Sequence, residues 1–292
     1  LPNALAGALI NQVSLAFGRD LDAALTVGRT AIDASRRSGV QSNLDMATCN
    51  YLLSLWTAGR LAEAQELYPV AAENIVELGG QYMLAAFHQW LDRAVGRPSS
   101  PAEGPDLNDQ GPSDDQYVLA WTGHLRMADA LDRADFGVAA RIAEATLPHV
   151  LAAMGLEDEF VYMWPPLVEA ALAAGNAELA EQLMEPVTSA APDVVAPHVA
   201  AHCDRLRGLV RATRGEDPAT VEADLRAGMA GLSSFGAVGD AARAEEELAR
   251  WLISQGRAGE AEALLGEVRA TYSRIGAAGW LAALDGALAS TS

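Results

Sequence analysis

A short phrase recurs along this chain at a nearly constant interval, and that interval restricts the fold more than any other feature. AGRLAEA runs from Ala58 to Ala64, AGNAELA from Ala174 to Ala180, and QGRAGEA from Gln255 to Ala261. Looser copies are FGRDLDAA (Phe17 to Ala24), RADFGVAA (Arg133 to Ala140) and RGEDPAT (Arg214 to Thr220). Each joins a helix stop to a helix start. Anchored on Gly18, Gly59, Ala134, Gly175, Gly215 and Gly256, successive copies lie 41, 75, 41, 40 and 41 residues apart. A fixed period in this range predicts a helical array, in which each helix pair buries its apolar face only by stacking on the next.

The rest of the pattern agrees. Val, Ile and Thr never alternate with period two, so no strand is expected. Helices are expected over 3–17, 20–37, 42–58, 61–78, 81–96, 115–132, 135–154, 158–174, 177–190, 194–214, 218–235, 239–255, 258–275 and 277–289. Gly39, Gly79-Gly80, Gly155 and Gly236 join the anchors as expected stops, because Gly tolerates the left-handed conformation that closes a helix. Asp217 and Asp240 are expected N-terminal caps. Arg97 to Asp115 is rich in Pro, Gly, Ser and Asp and has almost no apolar residue. It is expected to be a flexible loop, since it buries too little to offset the entropy of ordering. The chain therefore divides into N-terminal repeats over 1–96, the loop over 97–115, and C-terminal repeats over 116–292, in one continuous solenoid.

Half of the 292 residues are apolar, and the formal net charge is −19. Such an acidic chain repels nucleic acid and anionic membrane, so neither is expected as a direct partner. There is no Lys, which excludes a G-x-x-x-x-G-K-[ST] phosphate loop. No G-x-S-x-G elbow occurs either. The two Cys, Cys49 and Cys203, sit in apolar helical surroundings and are read as buried thiols, which suits a reducing cytoplasm. No apolar run is long enough for a membrane span. No basic leader precedes the first apolar stretch, so a signal peptide is not expected. The opening at Leu1 rather than Met reads as a piece of a longer protein.

The phrase G-R-x-x-E-A between helices resembles the tetratricopeptide repeat, whose small contact position is matched by Ala24, Ala64, Ala139, Ala180 and Ala261. That family's repeat is 34 residues long, and this one is about 40. The segment from Ala242 to Asp285 is similar to the helical region of large bacterial ATP-dependent LuxR-type transcriptional regulators and of adenylate-cyclase-like signalling ATPases. The resemblance implies an all-α, right-handed α-α superhelix. It also implies a binding role in signal transduction, with other domains of a parent regulator as partners.

In that family, first-of-pair helices line a concave groove. Mapping by distance from each anchor puts Asn50, Leu53 and Trp56 there, then Trp121 and His124, Tyr162 and Glu169, and Arg243, Glu246 and Arg250. Aromatics and arginines on one surface are what a ligand or protein segment uses as anchors. The expected site is therefore Asn50, Trp56, Trp121, His124, Tyr162, Glu169, Arg243 and Arg250, holding a protein segment or a small effector, with no catalytic residue, metal or cofactor. The nearest approach to a metal site is His198, His202 and Cys203. HVAAHC lacks the Glu of a zinc protease, and no second ligand cluster is visible, so packing is the expected role. Glu245, Glu246 and Glu247 read as a solvated face, and Arg207, Arg211 and Arg214 as an exposed face paired within its helix with Asp204. A stand-alone scaffold is the alternative function. A groove enzyme using Glu169 and Glu246 is a third.

Overall fold

The computed structural model describes residues 2–75, 77–97, 113–157 and 159–289. Among them are fourteen helices and no strand. In chain order they are α1 (Pro2–Ala16), α2 (Leu21–Ser38), α3 (Gln41–Thr57), α4 (Leu61–Asn74), α5 (Leu78–Val95), α6 (Gln116–Asp132) and α7 (Phe136–Met154). There follow α8 (Phe160–Ala173), α9 (Ala177–Thr188), α10 (Pro197–Arg214), α11 (Pro218–Phe235), α12 (Val238–Ser254), α13 (Ala258–Ile275) and α14 (Ala278–Ala289). The expected helices are all present, and packing runs mainly between neighbours, as a helical repeat requires.

The repeated phrase is the turn between the helices of a pair. Gly18, Gly59, Gly175, Gly215 and Gly256 all have φ between 68° and 77°, the left-handed region in which Gly closes a helix without a Cβ clash. Ala134 takes the same conformation at φ 56° and is the only non-Gly residue with positive φ among those described. Its turn is held like the others: Asp135 N–H donates to the Ala130 carbonyl at 2.9 Å, as Arg60 N–H does to Leu55. Helix starts are capped by Asp20, Asp135, Asn176 and Asp217, whose side chains accept the backbone N–H of the third helical residue. The small contact positions Ala24, Ala64, Ala139, Ala180 and Ala261 are all buried, at 0–1% exposure.

Two local expectations need correction. Gly79 and Gly80 do not close a helix; α4 ends at Asn74, and both glycines lie in the first turn of α5. They are small because neighbours approach closely: a Cβ on Gly79 would meet the Tyr117 ring at 2.6 Å, and one on Gly80 would meet Ile75 Cδ1 at 2.4 Å. Asp240 does not cap α12, whose cap position is Ala237; its carboxylate points at two imidazoles instead. The loop expected over 97–115 falls largely on residues 98–112, which lie outside the described ones.

Contacts also run far across the chain, and these the period did not announce. The C-terminal turn of α1 meets the start of α10: His198 N–H donates to the Gly18 carbonyl at 2.9 Å, satisfying a first-turn donor that the helix itself leaves unpaired. The turn after α3 meets the start of α12, with Val238 and Ile275 against Gly59. The end of α5 meets the start of α14, where Gly96 and Gly279 come within van der Waals distance. Trp56 packs edge-on against Trp280 at 5.5 Å between ring centres. Early repeats thus dock end-on against late ones. α3 and α8 are the innermost helices; nearly every residue from Ala47 to Leu55 and from Phe160 to Ala171 is buried. No helix among the described residues is long and apolar enough to cross a membrane.

Candidate functional site

The end-on docking leaves a cavity of about 270 Å³. Six helices contribute to its wall: α3 through Trp56; α5 through Trp90 and Arg93; α6 through His124; α8 through Val161, Tyr162, Pro165, Pro166 and Glu169; α10 through His202; α12 through Asp240 and Arg243. Five are first helices of their pairs, and α5 stands in the same position without a described partner. The repeat period explains the convergence. Counted back from their turns, Trp56, Trp90, His124, Tyr162, Glu169, His202, Asp240 and Arg243 stand about 3, 6, 10, 13 or 16 residues away, which is one face of a helix, so stacked first helices turn that face to a common space.

One side of the cavity is aromatic. Trp56 and Trp90 pack at 5.9 Å, and Trp90 meets His124 edge-on at 5.4 Å. Trp90 Nε1 donates to His124 Nε2 at 3.1 Å, so the His124 proton sits on Nδ1, which is buried without a partner. Burial, helped by Arg93 and opposed by Glu169, pushes His124 down to about 4. The Tyr162 hydroxyl lies 2.9 Å from Thr57 Oγ1 and donates to the Leu53 carbonyl at 3.3 Å, which ties α8 to α3. Pro165 and Pro166 have no N–H, so the carbonyls of Val161 and Tyr162 lose their usual helical donors where α8 borders the cavity.

The other side is charged. Arg205 is 1% exposed and donates to both Glu169 and Glu247. Arg243 Nη2 donates to the second Glu169 oxygen at 2.9 Å. The order Glu247, Arg205, Glu169, Arg243 is an alternating chain of charges across three helices. Burial resists ionisation of Glu169, but Arg243 and Arg205 outweigh it and hold the carboxyl at about 2. Glu247 moves the opposite way: burial exceeds the pull of Arg205, and its carboxyl is raised. Beside this chain, Asp240 Oδ2 lies 3.3 Å from His198 Nε2 and 3.5 Å from His202 Nε2. Burial alone would raise Asp240; the two imidazoles reverse that and hold it well below the usual carboxylate range. Burial dominates at His202 and lowers it to about 4 despite Asp240.

Of the eight residues expected from sequence, five line this cavity: Trp56, His124, Tyr162, Glu169 and Arg243. Trp121 is fully buried behind the aromatic wall, 6.0 Å from Trp90. Asn50 is buried on α3 and donates to Ser14 Oγ. Arg250 is exposed and paired with Glu246 one turn earlier, away from the cavity. Sequence reasoning missed Trp90, Arg93 and Asp240 as lining residues. Trp90 and Arg93 lie on α5, for which the repeated phrase supplies no anchor. The acidic run is not a uniformly solvated face, since Glu247 is drawn inward by Arg205 and Glu246 accepts from Tyr272. Arg207 does pair with Asp204, but Arg211 reaches Asp224 on α11 and Arg214 reaches Glu181 on α9. Cys49 and Cys203 are buried free thiols.

No protein-family model and no curated protein matches the chain.

Proposed function

We propose that this chain is a non-catalytic effector-binding domain of a bacterial signalling or transcriptional regulator, built as a right-handed tetratricopeptide-like superhelix. The effector is a small molecule with an apolar ring or chain and an anionic head. Other domains of a parent protein read its binding, in the cytoplasm, without direct contact to nucleic acid or membrane by this segment. The observation that carries the reading is the cavity: aromatic on one side, charged on the other, and walled by six helices from both halves of the chain. Its volume lies just below the ~300–1,000 Å³ usual for small-molecule clefts, which favours a compact ligand. Arg243 is 41% exposed in its side chain and offers its guanidinium fork to a carboxylate or phosphate. The apolar part would pack on Trp56 and Trp90.

A ligand in this position touches early and late repeats together. It would favour whichever conformation keeps them docked, and by that difference alone shift the equilibrium of an attached domain. The end-on docking is also what favours a small effector over an extended protein segment, because it blocks the length of the inner face.

Trp56 and Trp90 make the test optical. A panel of small aromatic and aliphatic carboxylates and phosphates is titrated while tryptophan emission and melting temperature are followed. At least one compound should quench emission and raise the melting temperature. Arg243→Gln should weaken its binding by about 1.5–3 kcal/mol, the cost of a lost charged hydrogen bond, while Arg250→Gln changes it by less than ~0.5 kcal/mol. A peptide that binds where no small molecule does would replace this reading with the scaffold.

A further inference from the structure

We propose that His198, His202 and Asp240 bind one Zn²⁺ ion at the margin of the cavity, leaving a fourth coordination position open toward it. This goes beyond the effector reading and does not depend on it.

The three residues come from two helices. His198 and His202 are one turn apart on α10, so their imidazoles share a face. Asp240 lies in the first turn of α12, 38 residues further along the chain, and the repeat stacking brings it opposite them. Their ligand atoms all lie within 4.8 Å of one another. Both imidazoles are buried, and each is fixed by its neighbours: the His198 ring stacks on Phe235 at 4.6 Å, and the two His rings lie 5.0 Å apart.

The distances fit the edges of a zinc tetrahedron as well as they fit long hydrogen bonds. An N–H···O bond is most often ~2.9–3.0 Å long. The two Nε2 to Oδ2 separations are longer, 3.3 and 3.5 Å. Zinc binds imidazole nitrogen and carboxylate oxygen at about 2.0–2.2 Å, so the edge of a zinc tetrahedron is about 3.3–3.6 Å. At the same bond lengths an octahedral edge is about 3.0 Å, shorter than either separation. Two imidazoles and one carboxylate are a donor set that zinc accepts, and three protein ligands with one open position is the arrangement of a zinc that takes a further ligand. His202 and Asp240 line the cavity and His198 stands behind them, so the open position faces the cavity. An anionic oxygen there, from water or from a carboxylate-bearing molecule, would complete the shell. Arg243, one turn beyond Asp240 on α12, stands on the same side of the cavity.

The outer shell sets the strength. Neither His198 Nδ1 nor His202 Nδ1 has a hydrogen-bond partner. Zinc-bound imidazoles usually donate that N–H to a carbonyl or carboxylate, and losing such a partner costs ~10–100-fold in affinity. The site should bind zinc specifically but more weakly than a fully supported one.

The test uses the intact chain and the metal alone. Wild-type protein, freed of metal by chelation, is titrated with Zn²⁺ by calorimetry and with Co²⁺ by visible absorption. One equivalent of Zn²⁺ should bind, and Co²⁺ should give the intense visible bands of a four-coordinate site. Asp240→Asn keeps an acceptor for both imidazoles, so the fold should survive while zinc affinity falls by more than the ~100-fold of an outer-shell loss. His202→Gln should do the same, and helical circular dichroism checks both variants. Excess Mg²⁺ should not displace zinc from wild type, whereas it would displace zinc held loosely by the acidic surface. Wild-type protein that binds no stoichiometric zinc, Co²⁺ bands of a six-coordinate ion, or variants that bind zinc as tightly as wild type would each overturn the proposal.

Discussion

Arg205 Nη1 lies 2.7 Å from Glu247 Oε1, joining α10 to α12 at a point where the arginine is 1% exposed. The other side of the same guanidinium holds Glu169 on α8. One side chain therefore compensates two partly buried carboxylates from two other repeats. Arg205→Met should leave both with reduced partnership, Glu169 keeping only Arg243. The expected loss is about 3–5 kcal/mol, the usual cost of breaking a buried pair by removing one member. Urea unfolding of the variant measures it. A loss below ~1 kcal/mol would mean the network contributes little to stability.

His124 makes stability depend on pH. Its folded value is about 4, below the ~6.5 of an unfolded chain, so the unfolded state binds the proton more readily. The contribution is therefore complete above about pH 6.5 and is lost as pH falls toward 4, with a limit of about 3 kcal/mol. His202 acts in the same direction. His124→Phe should accordingly lessen the loss of stability between about pH 6.5 and 4, read from melting temperatures across that range. An unchanged slope would show that His124 already titrates normally in the folded chain.

Gly279 and Gly286 lie in the same helix and should respond oppositely to alanine. A Cβ on Gly279 would meet the Arg93 carbonyl at 2.1 Å and Gly96 N at 2.5 Å, both backbone atoms that cannot swing aside. Gly279→Ala should cost at least ~1–3 kcal/mol and loosen α14 from α5. A Cβ on Gly286 meets nothing within 4 Å, so Gly286→Ala should stabilise the helix by about 0.5–1 kcal/mol. Thermal denaturation of the two variants side by side is the measurement. The same sign for both would refute the close approach.

Ala134 is an alanine doing a glycine's work. Its left-handed backbone costs about 1–2 kcal/mol relative to Gly, against ~0.4–1 kcal/mol of extra unfolded-state entropy that Gly would bring. Ala134→Gly should therefore raise stability by up to about 1.5 kcal/mol, seen as a shift in the urea midpoint at constant slope. A loss of stability would show that the turn carries no strain.

Ala180→Leu tests the repeat register directly. Ala180 is fully buried where α9 meets its neighbours, and three extra carbons there should cost about 1–3 kcal/mol by overpacking. An unchanged melting temperature would mean that the contact is not tight.

What could be read from sequence was local or periodic. Helix ends followed from glycines whose left-handed turn needs only its own neighbours, and buried alanines followed from the 40-residue spacing. Ala134 shows the strength of that spacing, since the period located a turn where the residue type argued against one. What escaped depends on contacts between distant repeats. Nothing local to Gly18 announces His198, and nothing near His202 announces Asp240. Glu247 looked like its neighbours Glu245 and Glu246 because one residue of rotation, not composition, turns it toward Arg205. Five of the eight expected site residues reach the cavity because the helices that carry them turn one face toward it. Arg250 fails because it lies exposed further along α12, paired with Glu246, and Asn50 because it turns to α1, where it donates to Ser14.

The docking of Gly18 on α10 and of Gly59 on α12 changes how this chain could evolve. In an ordinary array, helix pairs can be duplicated or deleted like beads on a string, since each junction resembles the next. Here, removing one pair between α4 and α10 would slide the whole later half past the earlier one. Gly18 would then face the start of α12 instead of α10, and Trp56 would lose Trp280. The cavity wall is assembled from residues that meet only at one particular count of repeats. A mutation adding or removing a complete unit, tolerated in a simple stack, would dismantle that wall in a single step, so the number of repeats is itself part of what builds the cavity.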